Sequence, residues 1–224
     1  MGIPLNITSN ATTNAIAYNV SHGVPLWNKG NYSYRLDYSL LNSTWLTINL
    51  TLTSFNTTAW VPGVSGLWLG LSYGAYSNSS NTDFTLCVYS YNNLTADQFQ
   101  CTDMYFDANA VPQSNEYQDL YSVATLIEDT VRGNFKVSYQ RPLSPTDVPS
   151  GEDFNLSLTQ NNDFQWSFGS LAANGSPAFN DSTQQMGSFA LNLASGAVST
   201  YIPSFAREFL SGSLAIALLV SSLI

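Results

Sequence analysis

The chain has 224 residues, a net charge of −9 and only 21 charged side chains, six basic and fifteen acidic, where an ordinary soluble domain is roughly 25% charged. Six basic groups cannot build the cationic patch that nucleic acid or anionic lipid requires. No apolar run reaches the roughly 18 to 20 residues of a spanning helix, and the 13% aromatic content argues against disorder.

Along the chain, residues 1–30 read as an extended arm with Pro4 and Pro25. A first strand is predicted at 32–40, where aromatic or aliphatic residues alternate with polar ones, and a second at 45–53. This period of two suits a strand with one wet face, and the short polar link around Asn42 makes the pair a hairpin. Further strands are predicted at 66–73, 83–91, 99–106, 120–130, 135–140, 154–159 and 164–168. Turn chemistry separates them, as in Val61-Pro62-Gly63, Arg132-Gly133-Asn134 and Val148-Pro149-Ser150-Gly151. Eight or nine short strands with regular punctuation predict an all-β antiparallel sandwich over 31–170. Trp45, Trp68 and Trp166 are expected in its core. Residues 171–200 read as a Ser/Gly/Ala-rich stalk, or one more strand around Phe189–Leu193. Residues 201–224 form a hydrophobic C-terminal segment.

The deficit of charge is filled by 22 Asn, 30 Ser and 19 Thr. Twelve of the asparagines begin an Asn-x-Ser/Thr sequon without proline: Asn6, Asn10, Asn19, Asn31, Asn42, Asn49, Asn56, Asn78, Asn93, Asn155, Asn174 and Asn180. Composition alone would give about five, and the motif is the acceptor for N-linked glycans in secreted chains. We therefore expect a glycoprotein of the secretory pathway, displayed at the cell surface or released, with sugar supplying the hydration that Lys and Glu normally give. Asn49 falls mid-strand, so its face must be wet; Thr47, Thr51 and Thr53 share its parity. Cys87 and Cys101 are the only cysteines. In an oxidising compartment a disulfide is the default for such a pair, two buried thiols being the alternative.

The start of the sequence has neither a basic n-region nor an apolar h-region. The sequons thus imply a leader outside this sequence, or a natural start other than Met1. At the other end, a small-residue run (Ala194 to Ala197), a mixed spacer and a short uncharged tail (Leu214 to Ile224) make the pattern of a GPI-attachment signal. Ser195 is the candidate attachment residue, and a terminal helix packed on a partner is the rival reading. The membrane would then be met only through a lipid anchor or the tail.

Catalytic chemistry is not legible. The single histidine, His22, lies in the arm with no nucleophile signature beside it, and no Cys/His cluster offers a zinc site. Asp103, Asp107 and Asn109 offer oxygens to calcium without a loop pattern. We expect no enzyme, no metal and no catalytic residues.

Several segments in order resemble the DOMON family, which includes cytochrome modules of some extracellular dehydrogenases. Gly66-Leu67-Trp68-Leu69-Gly70-Leu71-Ser72-Tyr73 resembles its tryptophan–glycine strand, and Asp83-Phe84-Thr85-Leu86 its aspartate strand. Gln118-Asp119 is similar to its "QD" segment. Arg141-Pro142-Leu143-Ser144-Pro145-Thr146-Asp147 resembles "R-P-L-x-T-x-D", and Trp166-Ser167-Phe168-Gly169 the terminal strand. The resemblance spans about 32–169 and implies an immunoglobulin-like sandwich whose relatives bind haem or sugars. Haem-binding members use a Met in the loop after the first matched strand and a His near the last. Residues 74–81 contain neither, and no His follows Phe168. No haem ligands are therefore expected, and a haem b electron-transfer module is the least favoured alternative. Tyr73 and Tyr76, bordering the relatives' ligand pocket, are the candidate stacking residues for a carbohydrate or small ligand. The leading expectation is a non-enzymatic, structural role in a coat, fibre or adhesion, with copies of itself or surface glycans as partners, N-linked glycans attached and no cofactor. Recognition of a carbohydrate or small ligand is the alternative.

Overall fold

In the computed structural model the described residues are 16, 18–74, 82–91, 98–106, 112–146, 148, 152–179 and 184–203. Among them, two antiparallel sheets pack as a sandwich. The first comprises β1 (His22–Lys29), β2 (Tyr32–Leu40), β3 (Trp45–Thr53), β8 (Tyr121–Asp129) and β9 (Asn134–Pro142). The second comprises β4 (Gly66–Tyr73), β5 (Thr82–Ser90), β6 (Phe99–Phe106), β7 (Pro112–Ser114), β10 (Asn162–Ser170), β11 (Gln185–Leu191) and β12 (Val198–Pro203). Spatial orders are β1-β2-β3-β9-β8 and β12-β11-β10-β4-β5-β6-β7. The expected all-β antiparallel sandwich is the fold.

The two-residue period explains the packing directly. In β3, Leu46, Ile48, Leu50 and Leu52 are buried while Thr47, Asn49, Thr51 and Thr53 are half-exposed. The same alternation sends Tyr34, Leu36, Tyr38 and Leu40 of β2 and Phe135, Val137 and Tyr139 of β9 inward. They meet Leu67, Leu69, Leu71 and Tyr73 of β4 and Phe164, Trp166 and Phe168 of β10. β4 is buried on both faces, because Trp68 joins Phe84, Leu86, Phe106 and Phe179 in a second apolar cluster outside the core. Trp68 is thus buried, yet not between the sheets, whereas Trp166 is. Trp45 shares parity with Thr47 and is half-exposed, its ring edge-on to Tyr121 at 5.0 Å; the expectation that it fills the core is corrected.

The sandwich is longer than predicted at both ends. Residues 22–29, assigned to the arm, form β1 and bury Val24 and Leu26, and His22 stacks on Tyr38 at 5.3 Å. Pro25 is tolerated because β1 is an edge strand. Residues 185–191 and 198–203 are strands of the second sheet, the first of them overlapping the extra strand expected around Phe189–Leu193. Conversely, 154–159 is no strand: Leu156 N donates to Leu143 O (2.8 Å) and Ser157 N to the Asn162 side chain (2.7 Å). The β8–β9 turn needs Gly133, whose φ is +67°. Its backbone passes so close to Phe55 that a Cβ would collide with the Phe55 carbonyl.

Candidate functional site

At one end of the sandwich the inward-facing rows stop being apolar. The parity that turns Cys87 of β5 inward also turns Asp83 and Thr85 inward, and across β6 their register partners bring Asp103. The row Phe135, Val137, Tyr139 of β9 ends on Arg141. Arg141 and Asp83 form a buried ion pair, Nη2 to Oδ2 at 3.0 Å, with 3% and 2% of their side chains exposed. Phe154 N donates to the same carboxylate oxygen (2.8 Å), and Arg141 Nη2 donates to Phe154 O (3.2 Å). The guanidinium lies 3.7 Å above the Tyr73 ring, a cation–π contact strengthened by desolvation.

Around this pair the polar network continues into two loops. Gln118 donates to Asp103 O and accepts from Asp103 N, both at 2.9 Å. Asp119 N donates to Asp103 Oδ2 (3.2 Å), and Thr146 N to Asp119 Oδ2 (2.8 Å). Asn115 Nδ2 donates to Asp153 Oδ1 at 3.1 Å. The polar residues of three motifs quoted above, Asp83, Gln118-Asp119 and Arg141 with Thr146, therefore converge on one cluster, buried at Asp83, Asp119 and Arg141 and exposed at Gln118 and Thr146. In the sequence these residues belong to separate motifs; what brings them together is the pairing of β9 with β3 and the closure of the sandwich over β5.

Burial, then repulsion from Asp83, pushes the Asp103 carboxyl up to about 7, against the opposing pull of Arg141. The folded state thus keeps a proton that the unfolded chain releases near pH 4. Stability from this group is complete below about pH 4 and is lost as pH rises toward 7, at a slope of at most about 1.4 kcal/mol per pH unit. We expect Asp103→Asn to flatten this decline. Melting temperatures from pH 4 to 8 check it: equal slopes for both proteins contradict the assignment.

Oxygens of Asp83, Asp103 and Asp153 lie within 4.8 Å of one another, and such hard donors suit Ca²⁺ or Mg²⁺. Arg141 is coupled electrostatically to all three, so compensating charge is already built into the fold. The cluster's chemistry is that of a clasp, holding the loops around Asn115–Asp119 and Asp153–Phe154 to β5, β6 and β9.

Tyr73 cannot be the stacking residue expected of it. Its ring is 2% exposed, one face is covered by Arg141, and its hydroxyl lies 3.0 Å from both Thr85 Oγ1 and Tyr139 Oη. Tyr76 lies outside the described residues. An aromatic groove exists elsewhere: about 470 Å³ lined in part by Trp27, Tyr32, Phe55, Asn56, Phe168 and Gln185. It was missed because Trp27 fell in the presumed arm; the Val24/Leu26 alternation was the available signal.

Neither a family model nor a curated protein matches this chain.

Cys87 and Cys101 face each other in the β5–β6 register and are disulfide-bonded. With Cys87 fully buried, this bond is compatible with an extracellular or secreted protein. Of the sequon asparagines, Asn19, Asn31, Asn42, Asn56, Asn155 and Asn174 are exposed and Asn49 is half-exposed. Asn6, Asn10, Asn78, Asn93 and Asn180 lie outside the described residues. Among the described asparagines the buried ones are Asn115 and Asn162, and neither begins a sequon. Asn42, Asn56 and Asn174 use Oδ1 to accept from backbone N–H groups two residues on. Ser195 sits in the β11–β12 turn, bonded to Asn192 Oδ1 through N and Oγ, both at 3.0 Å. It is thus a turn residue between β11 and β12 in the folded chain. Residues 204–224 lie outside the described residues.

Proposed function

We propose that this chain is a non-enzymatic, N-glycosylated, DOMON-like module, secreted or displayed at the cell surface, with a structural role in assembly. The observation that carries the reading is the division of the asparagines: each described sequon asparagine reaches solvent, while the buried asparagines are not in sequons. The DOMON resemblance gains support from its polar motif residues meeting in one clasp. Assembly is supported by β8, an edge strand in which Tyr121, Val123, Leu126 and Ile127 are between 38% and 50% exposed. It carries no Pro, Lys or Arg; its edge protection is confined to two bulges against β9 and to Glu128-Asp129 at its end. No sequon begins on β8 itself, or anywhere between Asn93 and Asn155.

The test is secretion from a glycosylating cell, glycosidase treatment, and electron microscopy with light scattering. We expect a mass loss of several glycans and ordered oligomers that Leu126→Lys disperses. A glycosylated protein that stays monomeric refutes the assembly role, and an unglycosylated one refutes the whole reading. Release from cells by a phosphatidylinositol-specific phospholipase tests the lipid anchor, with Ser195 as the candidate attachment residue.

A further inference from the structure

The aromatic groove lies where the β1–β2 turn, the loop after β3 and the ends of β10 and β11 come together. Phe168, 3% exposed, forms its floor. Trp27 stands edge-on to it at 5.3 Å, and Phe55 at 6.4 Å. Tyr32 is 39% exposed at the rim. Flat apolar rings with polar groups at the edge suit the hydrophobic face of a sugar, and the volume is that of a small-ligand pocket.

The groove also contains an acceptor asparagine. Asn56 lines it and is exposed, and Asn56-Thr57-Thr58 is a sequon. Its Oδ1 accepts from Thr58 N at 3.1 Å, while Nδ2 makes no hydrogen bond among the described residues. The loop that presents it is pinned on both sides: Ser54 N donates to Asn134 Oδ1 (3.1 Å), Phe55 N to Gly133 O (2.9 Å), and Thr57 Oγ1 to Thr130 O. The acceptor nitrogen is thus held at the groove by a fixed backbone.

We infer that the groove is the seat of the chain's own N-glycan on Asn56, whose first N-acetylglucosamine packs against Trp27, Tyr32 and Phe55. The inference rests on the glycoprotein reading above. In attachment, Asn56 Nδ2 bonds to C1 of the sugar and gives up a proton to solvent. The C1–O bond of the donor, a lipid-linked oligosaccharyl diphosphate, breaks with its electron pair leaving on the lipid diphosphate. Once tethered, the sugar faces the groove at an effective concentration in the millimolar range, an advantage no free sugar has. A free ligand would have to displace it, so the groove is filled by construction.

The test uses the full chain secreted from a glycosylating cell and trimmed to one N-acetylglucosamine per site. Glycopeptide mass spectrometry reads occupancy, and NMR reads the acetyl methyl groups. We expect one methyl resonance shifted upfield by the aromatic rings, absent from Thr58→Ala and Asn56→Gln but present in Asn31→Gln and Asn42→Gln. The first two variants should melt about 2–4 °C lower than the parent; Asn42→Gln should not. Three results overturn the inference while leaving the glycoprotein reading intact. These are an occupied Asn56 with no shifted methyl, a shifted methyl that disappears with Asn31→Gln, and uptake of free N,N′-diacetylchitobiose by the fully glycosylated groove. No occupied sequon at all overturns both.

Discussion

Arg141→Met will cost the fold about 3–5 kcal/mol, the penalty for stranding a buried charge, against a total stability on the order of 5–15 kcal/mol. The substitution keeps most of the side chain's volume and removes the cation that faces Asp83, Asp103 and Asp153. It also uncovers the Tyr73 ring. The loss should depend on pH in a diagnostic way. Without the guanidinium Asp103, already raised to about 7 by burial and by Asp83, loses the opposing pull of Arg141 and holds its proton more tightly in the folded state. Stability is therefore recovered as pH falls through the raised value of Asp103, and the deficit is largest above about 7. Denaturant unfolding at pH 5 and pH 8 reads this directly. A deficit independent of pH would mean that Arg141 acts through packing alone. Asp83→Asn should cost less than Arg141→Met, since Asp103 and Asp153 remain to face the guanidinium and Phe154 N keeps an acceptor.

Removing the disulfide should cost about 3 kcal/mol, the chain-entropy value for a closed loop of about 15 residues. For a chain of this size that corresponds to a melting temperature lower by about 6–12 °C. The Cys87→Ala/Cys101→Ala double variant is the cleaner probe, because single substitution leaves an unpaired thiol in or against the apolar core. Calorimetry of the double variant, and of the parent with and without reductant, should give matching losses. No loss on reduction would show that the β5–β6 ladder holds its register unaided.

The fold was legible wherever one strand face meets water. Tyr32–Leu40 and Trp45–Thr53 alternate because their outer faces are wet, and the prediction of those strands needed nothing more. It failed where other physics intervened. His22–Lys29 contains a proline that only an edge strand accepts, so it read as arm. Phe154, Leu156 and Leu158 alternate like a strand, but the backbone there is used by Leu143 O and Asn162. The clasp was half-visible: Asp83 and Arg141 were each marked by a motif, yet 58 positions separate them and no spacing rule reports such a pair. The resemblance makes Tyr73 a ligand residue because it borders the relatives' pocket, whereas its parity with Leu67, Leu69 and Leu71 places it inside. For the groove the sequence offers one signal, the Val24/Leu26 alternation that marks β1; that Trp27, Tyr32, Phe55 and Phe168 meet depends on the two sheets closing.

The topology has a consequence for the order of synthesis. The strands that join each sheet's halves pair Ile48 with Tyr139 and Tyr73 with Phe164, both 91 positions apart. Hairpins β2–β3 and β4–β5 must therefore wait, apolar faces uncovered, until β9 and β10 emerge from the ribosome; such long-range pairing is intrinsically slow and exposed to aggregation. Asn31, Asn42, Asn49 and Asn56 lie on or beside those waiting strands. Sugar added there during translation would act as a temporary chaperone, keeping half a sandwich in solution until its other half arrives.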